Sequence, residues 1–558
     1  MKRSIKTLIA IGGALTSITL PIMAISCSNQ NNPKTTDPKD TNPKITDPKD
    51  TNPKITDPKD TNPKITDPKI TDEMALKNTF TNFLSTVHGR KAGDANNFKK
   101  ESLETKPNPY KKSPIKVLNY GIKLEKDQRL TTEIVEKNLL YKFGEKVDQN
   151  VNNYGSYYAY KYLVKEIAGM GYTNHTPNGI TYPEYDDKKR TVQYDETKDK
   201  EIVDSMKQNL NNDGFFTQGF LFANNGYNNV GNNIVVTINP SAKLTDNGKR
   251  KIKDFYIVSH YDSMNNVGPK GVSWGATDNA TGVTVNLKLL KYFSDPKNRD
   301  NLSVRLHLIF VDGEEIGKLG SKAFVKQFLD GKQNELRDNS LGMINMDTVA
   351  GGDYMYIHSP NTTDALNDNN KVEKDKWNLS PLLRNHINTL SKERANKIND
   401  ADQELKIHPQ LVEGGYKEGE TGDWSDHAPF YQIAKLPVAY VESTNFAIKS
   451  KYGVYDGYAQ TINPKAWVLK DGKTTIEKLK ERKLDNGQTV YDWPDGLKKD
   501  DFAILGDIWH SDLDTLKWVN DNIGQKIYKQ LDTVFQTLKA TVTSLHKIEG
   551  DNFSYIEL

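Results

Sequence analysis

Apolar residues along this chain follow two rhythms. In residues 74 to 87 (MALKNTFTNFLSTV), Met74, Leu76, Phe80, Phe83, Leu84 and Val87 recur at helical spacing, and the segment 153 to 174 (NYGSYYAYKYLVKEIAGMGYTN) does the same. The second segment predicts an amphipathic helix ending at Gly169 or Gly171, with a strand after it. By contrast, NNIVVTINPS (232 to 241) and DFYIVSHYDS (254 to 263) are short β-branched and aromatic runs separated by a Lys/Asp/Gly turn, and they read as adjacent strands. The chain then alternates: NATGVTVNLKLLKYF helical, VRLHLIFV a strand, GSKAFVKQFL helical, SLGMINM a strand, KLPVAYVES a strand. A long helix is predicted from about Asp514 to His546, with an apolar stripe from Leu516 to Leu545. Such alternation predicts an α/β fold of three layers, α/β/α, with a central mixed β-sheet flanked by helices and function at the carboxyl ends of its strands. Polar insertions at about 361 to 410 and 446 to 505 read as lids or surface excursions.

The N-terminal end has a different pattern. A basic start at Lys2, Arg3 and Lys6 precedes the apolar run Thr7 to Ser26, which ends at Cys27. Residues 1 to 26 thus read as a lipoprotein signal peptide, with small residues at Ala24 and Ser26 before the cysteine that would be lipidated. Residues 27 to 72 read as a disordered, semi-rigid spacer, which from Asn31 to Asp72 repeats DPKDTNPKIT with proline at every fifth position from Pro33 to Pro68 and no apolar face. Residues 73 to 150 read as an N-terminal extension packed on the core, and 151 to 558 as the catalytic domain. This arrangement places the protein on the extracellular face of a cell membrane, held by a lipid anchor.

Composition narrows the chemistry. Cys27 is the only cysteine, so a metal must be held by His, Asp and Glu rather than thiolate. The net charge of +3 is matched by the three basic residues of the leader, which argues against a nucleic-acid partner. Five segments carry metal-type ligands beside runs that can be buried: HYDS, ATDNATG, DGEEIG, NMDT and WHSDLD. The candidates are His260, Asp278, Glu315, Asp347 and His510. Five ligands crowd one metal, but they suit two if a carboxylate bridges them and room remains for water. Glu314 is then a surplus acid, the natural general base, and Asp262 is placed to hold the other ring nitrogen of His260.

This ladder resembles the bacterial di-zinc aminopeptidases related to leucyl aminopeptidase, whose wider family includes glutamate carboxypeptidase and glutaminyl cyclase. The resemblance spans roughly residues 150 to 546. It implies a zinc-exopeptidase-type fold and two Zn²⁺, with His260 and Asp347 on one ion, Glu315 and His510 on the other, Asp278 bridging, and Glu314 as acid/base. It further implies a cis peptide between Asp278 and Asn279. Peptides would be the substrates, most simply those with a free amino terminus. The segment 153 to 174 lacks the arginine usual in that motif. His427 in SDHAPF reads as a pocket residue rather than a ligand. Asp514 reads as orienting His510, and Trp509 stands where relatives carry an oxyanion-stabilising tyrosine. His307 reads as packed, the remaining histidines as ordinary, and Trp274, Trp424 and Tyr416 as packing or pocket aromatics. A non-catalytic surface binding or adhesion lipoprotein, or a glutaminyl-cyclase-like transferase with a single zinc, are the alternatives.

Overall fold

The computed structural model describes residues 71–87, 89–90, 92, 129–134, 155–176, 182–183, 191–224, 227–242, 252–264, 274–360, 379–410 and 417–545. The expected signal peptide, Cys27 and nearly all of the spacer lie outside the described residues, as do Tyr416, His88, His546 and positions 361–378. No helix among the described residues is long and apolar enough to cross a membrane.

The strands are β1 (Thr191–Val192), β2 (Gly214–Asn224), β3 (Tyr227–Ile238), β4 (Asp254–His260), β5 (Arg305–Val311), β6 (Ser340–Met346), β7 (Tyr354–Pro360), β8 (Leu405–Lys406), β9 (Glu420–Thr421) and β10 (Val438–Thr444). They form one sheet in the order β1-β2-β3-β5-β4-β6-β10-β7-β8, with β9 also on β7. Neighbours β5, β4, β6 and β10 run parallel, while β3 and β7 flank them antiparallel, so the sheet is mixed. The expectation that 232 to 241 and 254 to 263 pair directly is therefore wrong. β5 lies between them, because the parallel β4–β5 pair is joined by a helical crossover that brings the later strand back beside both.

The helices are α1 (Asp72–Thr86), α2 (Ser156–Gly169), α3 (Lys200–Asn209), α4 (Ala280–Phe293), α5 (Leu319–Phe328), α6 (Glu335–Asn339), α7 (Ser380–Ile398), α8 (His427–Gln432), α9 (Leu516–Asn522) and α10 (Gln525–Val542). Side-chain alternation divides each central strand between two layers. Phe255 and Ile257 join α1, α2, α4, α7 and α10 in one core, whereas Tyr256 and Val258 join α3, α5 and α8 in the other. Burial on both faces is why these strands read as continuous apolar runs.

Several local expectations change. The residues after α2 form only a bridge from Asn174 to Phe215, not a strand. The C-terminal helix is broken into α9 and α10 at Gly524, whose φ of 63° is in the left-handed region. Part of the first polar insertion is α7, packed beneath β7 and β10 through Leu383 and Ile387. The second folds into two small sheets, β11 (Trp467–Leu469) with β14 (Phe502–Leu505) and β12 (Lys480–Lys483) with β13 (Thr489–Asp492), around its own core centred on Trp467.

Candidate metal centre

Strand ends and one helix start place the ligand candidates. His260 ends β4, Asp347 directly follows β6, and Glu314 and Glu315 lie in the turn after β5. Asp278 precedes α4, whose N-cap Asn279 accepts from the N–H of Gly282 at 3.0 Å. The Asp278–Asn279 peptide is cis. His510 comes from the loop before α9 and has a positive φ of 57°, an unusual conformation for a side-chain-bearing residue.

These side chains converge on Asp278. One of its oxygens is 3.1 Å from His260 Nε2, which is also 3.2 Å from Asp347. The other is 3.1 Å from His510 Nε2, which is also 2.6 Å from Glu315. Two clusters therefore share one carboxylate: His260, Asp278 and Asp347, and Asp278, Glu315 and His510. Asp278 Oδ1 and Glu315 Oε1 are buried without a hydrogen-bond partner. Buried lone pairs of this kind are costly unless a donor or a cation meets them, so the set fits two divalent ions. The electrostatics agree. Burial opposes protonation of the two imidazoles, yet Asp347, Asp262 and Asp278 hold His260 well above its ordinary range, and Glu315 and Asp278 do so for His510. Positive charge is favoured at both ring nitrogens.

The supporting contacts differ from several sequence expectations. Asp262 accepts the backbone N–H groups of Glu314 at 3.1 Å and Glu315 at 3.2 Å, fixing the double-glutamate turn. It lies 3.4 Å from His260 Nδ1, but the alignment is too poor for a hydrogen bond. Asp514 does not orient His510. Its carboxylate accepts from the Thr277 N–H and hydroxyl at 2.5 and 2.9 Å and from the Asp278 N–H at 3.2 Å, so it positions the shared ligand instead. His427 is turned away from the centre. Its Nε2 is 2.7 Å from the Gly422 carbonyl, its ring stacks on Tyr440, and burial pushes its pKa down to about 4. The useful residue of SDHAPF is Ser425, which donates to Asp347 at 2.7 Å and accepts from Asn345 at 2.7 Å. Ser425→Ala is expected to weaken metal affinity by about 10- to 100-fold, the usual consequence of losing a ligand's outer partner, as measured by competition with a chelating dye.

Trp509 also departs from expectation. Its indole N–H goes to the Tyr458 carbonyl at 3.1 Å, and its ring packs against His510 at 4.6 Å, so it supports the histidine rather than offering a donor. The backbone N–H of Trp274 donates to the Asp514 carbonyl at 3.1 Å.

Arg90 escaped the sequence reading. Fully buried, it donates to the carbonyls of Tyr261 at 2.7 Å, Gly275 at 2.8 Å and Trp274, tying the segment after His260 to the one before Asp278. Burial lowers its pKa to about 10 despite Asp514, Asp278 and Asp262, so it remains charged. Gly275 permits this approach, since a Cβ there would sit 2.5 Å from the guanidinium and φ is 62°. The 153 to 174 segment does lack an arginine, but the chain supplies one upstream, and the Gly155 N–H bonded to the Gly89 carbonyl joins the two stretches. The HGR tripeptide was the available signal. Arg90→Met should cost at least about 3 kcal/mol in urea unfolding, because it leaves three buried carbonyls without their donor at about 1–3 kcal/mol each.

A pocket of about 470 Å³ opens on the centre, lined by Asp278, Glu314, Asp347 and His510 and walled by Tyr440 and Glu442 from β10 and by Tyr452, Asp456, Gly457 and Tyr458 of the second insertion. Trp424 also lines it. Glu314 thus shares one cavity with the ligands. A larger groove of about 1060 Å³ lies at the opposite, amino-terminal strand ends, where Asp254 is committed to Arg305, His307 and Asn339. That commitment makes the smaller pocket the reactive one.

A family profile described as Peptidase family M28 matches residues 233–531, more than half of the chain. A glutamate carboxypeptidase 2 homolog of Caenorhabditis briggsae is 25% identical over 213 residues, covering 37% of this chain and 24% of that protein. A probable leucine aminopeptidase of Arthroderma otae is 27% identical over 217 residues, covering 37% and 58%. The chain therefore spans less than two thirds of the length of either relative. Among solved structures, the zinc aminopeptidase BSAP from Bacillus subtilis is 16% identical with a TM-score of 0.30, covering 59% of this chain and 54% of that one.

Proposed function

Because this chain belongs to Peptidase family M28, we propose that it is a di-zinc aminopeptidase that removes N-terminal residues from peptides. The observation that carries this reading is the division of the two Asp278 oxygens between two His–carboxylate pairs, with Glu314 facing the same pocket. His260 and Asp347 would hold one ion, Glu315 and His510 the other, and Asp278 both. Zinc bound there supplies an acidified water and polarises the scissile carbonyl. Glu314 takes the proton of the attacking water and returns it to the leaving amine. Burial, reinforced by Asp426, Asp347 and Glu315 and opposed by His260, raises the Glu314 carboxyl well above the usual range, as proton return requires.

The pocket lining favours an amino terminus over a carboxyl terminus. Among the described residues its lining includes the carboxyls of Glu314, Asp347 and Asp456 and no lysine or arginine, a wall that attracts ammonium and repels carboxylate. The lipoprotein leader and repeat spacer support a membrane-anchored location outside the cell. The test is turnover of aminoacyl, N-blocked and C-terminal substrate panels by zinc-loaded protein, together with metal counting by mass spectrometry. Two zinc per chain with cleavage of free-amino substrates alone is the expected result. Cleavage of C-terminal substrates alone overturns the aminopeptidase assignment, and one zinc with cyclisation of N-terminal glutamine favours the transferase.

A further inference from the structure

Glu442 is a largely buried acid in the pocket wall. On β10 it lies beside Asp347, since Val441 pairs with Met346 and its carbonyl accepts the Asp347 N–H at 3.2 Å. Strand alternation puts Tyr440 and Glu442 on the same face, and both line the pocket. The Tyr440 hydroxyl donates to Glu442 at 3.2 Å. His358 Nε2 is 2.9 Å away but off the hydrogen-bond line, and burial with the nearby Arg384 disfavours the charged form of that ring. No lysine or arginine pairs with Glu442 among the described residues. Burial, reinforced by Asp347 and opposed by the Tyr440 bond, pushes its pKa up to about 8.

The surrounding walls suit a long cationic side chain. Trp424 and Tyr452 both line the pocket while remaining 43% and 62% exposed, which places large aromatic faces at its mouth. Such faces stack well on the methylene stem of lysine or on a guanidinium. Asp456 adds a second carboxylate, held by the Tyr458 N–H and the Ser450 hydroxyl, both at 3.0 Å. Lys451 lies against the Tyr458 part of the wall, with its ammonium 2.5 Å from the Tyr458 hydroxyl and 3.9 Å from that ring's centroid.

We propose that this pocket selects peptides whose N-terminal residue is lysine or arginine, with Glu442 as counter-ion to the side-chain cation. The proposal rests on the aminopeptidase reading and adds the substrate class. A lysine or arginine side chain supplies the cationic partner that Glu442 lacks among the described residues, whereas a neutral one supplies none.

The test uses the zinc-loaded full chain with Lys-, Arg-, Leu- and Met-p-nitroanilide. The wild type is expected to favour lysine and arginine by at least about 10-fold in kcat/KM, and Glu442→Gln to lower those two by about 30-fold or more while changing leucine by less than about 3-fold. Calorimetric binding of L-lysinamide against L-norleucinamide gives a readout without turnover, and the lysine advantage should vanish in the variant. Retained zinc content and melting temperature show that the variant is folded. If it does not fold, a wild-type preference for norleucinamide overturns the proposal and a preference for lysinamide supports it. Leucine turnover without a lysine preference, or an equal loss on all substrates in a folded variant, overturns this inference and leaves the aminopeptidase reading standing. Inertness toward every aminoacyl substrate overturns both.

Discussion

Glu314→Gln is expected to reduce kcat by about 10²- to 10⁴-fold, the range for losing a positioned general acid/base, while zinc content and melting temperature stay unchanged. The substitution keeps shape and removes only the titrating carboxyl. Glu314 is not in either ligand cluster, and its backbone N–H, bonded to Asp262, is unaffected by the change. Loss of activity with full metal loading therefore separates proton transfer from metal binding. Steady-state kinetics on an aminoacyl substrate decide the matter: a variant as active as wild type removes Glu314 from the mechanism, and one that loses zinc makes it a ligand.

Asp278→Ala is expected to abolish activity and lower zinc content from two per chain to below one. Each cluster would retain only one histidine and one carboxylate, because both oxygens of Asp278 are used, one toward His260 and the other toward His510. Wild-type protein should be stabilised by added zinc according to the mass-action relation, and the variant should show almost none of that shift in melting temperature. Glu315→Ala provides the contrast. It touches only the His510 cluster, so one zinc should remain. Equal loss of both ions in the two variants would show that the sites are not divided as the geometry divides them.

The sequence was most informative where the physics is local. β4, β5, β6 and β10 are legible because a strand buried on both faces reads as a mainly apolar run, and His260, Asp347 and Asp278 are legible because they end or directly follow such a run or precede a capped helix. His260, Asp278 and Asp347 needed only residue type and position at an element's end to become candidates, whereas Glu315 and His510 lie in a turn and a loop and were carried by residue type and motif. The double glutamate needed only one acid more than the ligand count.

Other features depend on which distant segments meet. SDHAPF looks like a ligand motif, yet the geometry uses its serine and turns its histidine to Gly422, a choice set by how α8 docks on the sheet. Asp514 accepts the Thr277 and Asp278 N–H groups and serves that segment rather than the histidine four residues before it in sequence. The Trp509 N–H is claimed by Tyr458, a residue of an insertion that reads as surface but walls the pocket.

The chain by itself therefore determined that there is an α/β core, where its central strands run, and which side chains are suited to a metal, since hydrophobic periodicity and ligand chemistry are properties of neighbouring residues. Tertiary structure alone decided the insertion of β5 between β3 and β4, the burial of Arg90 behind the ligand loops and the placing of Glu442 in the pocket wall. Those depend on pairing, charge burial and packing between segments tens to hundreds of residues apart, and one strand's pattern carries no record of its partner.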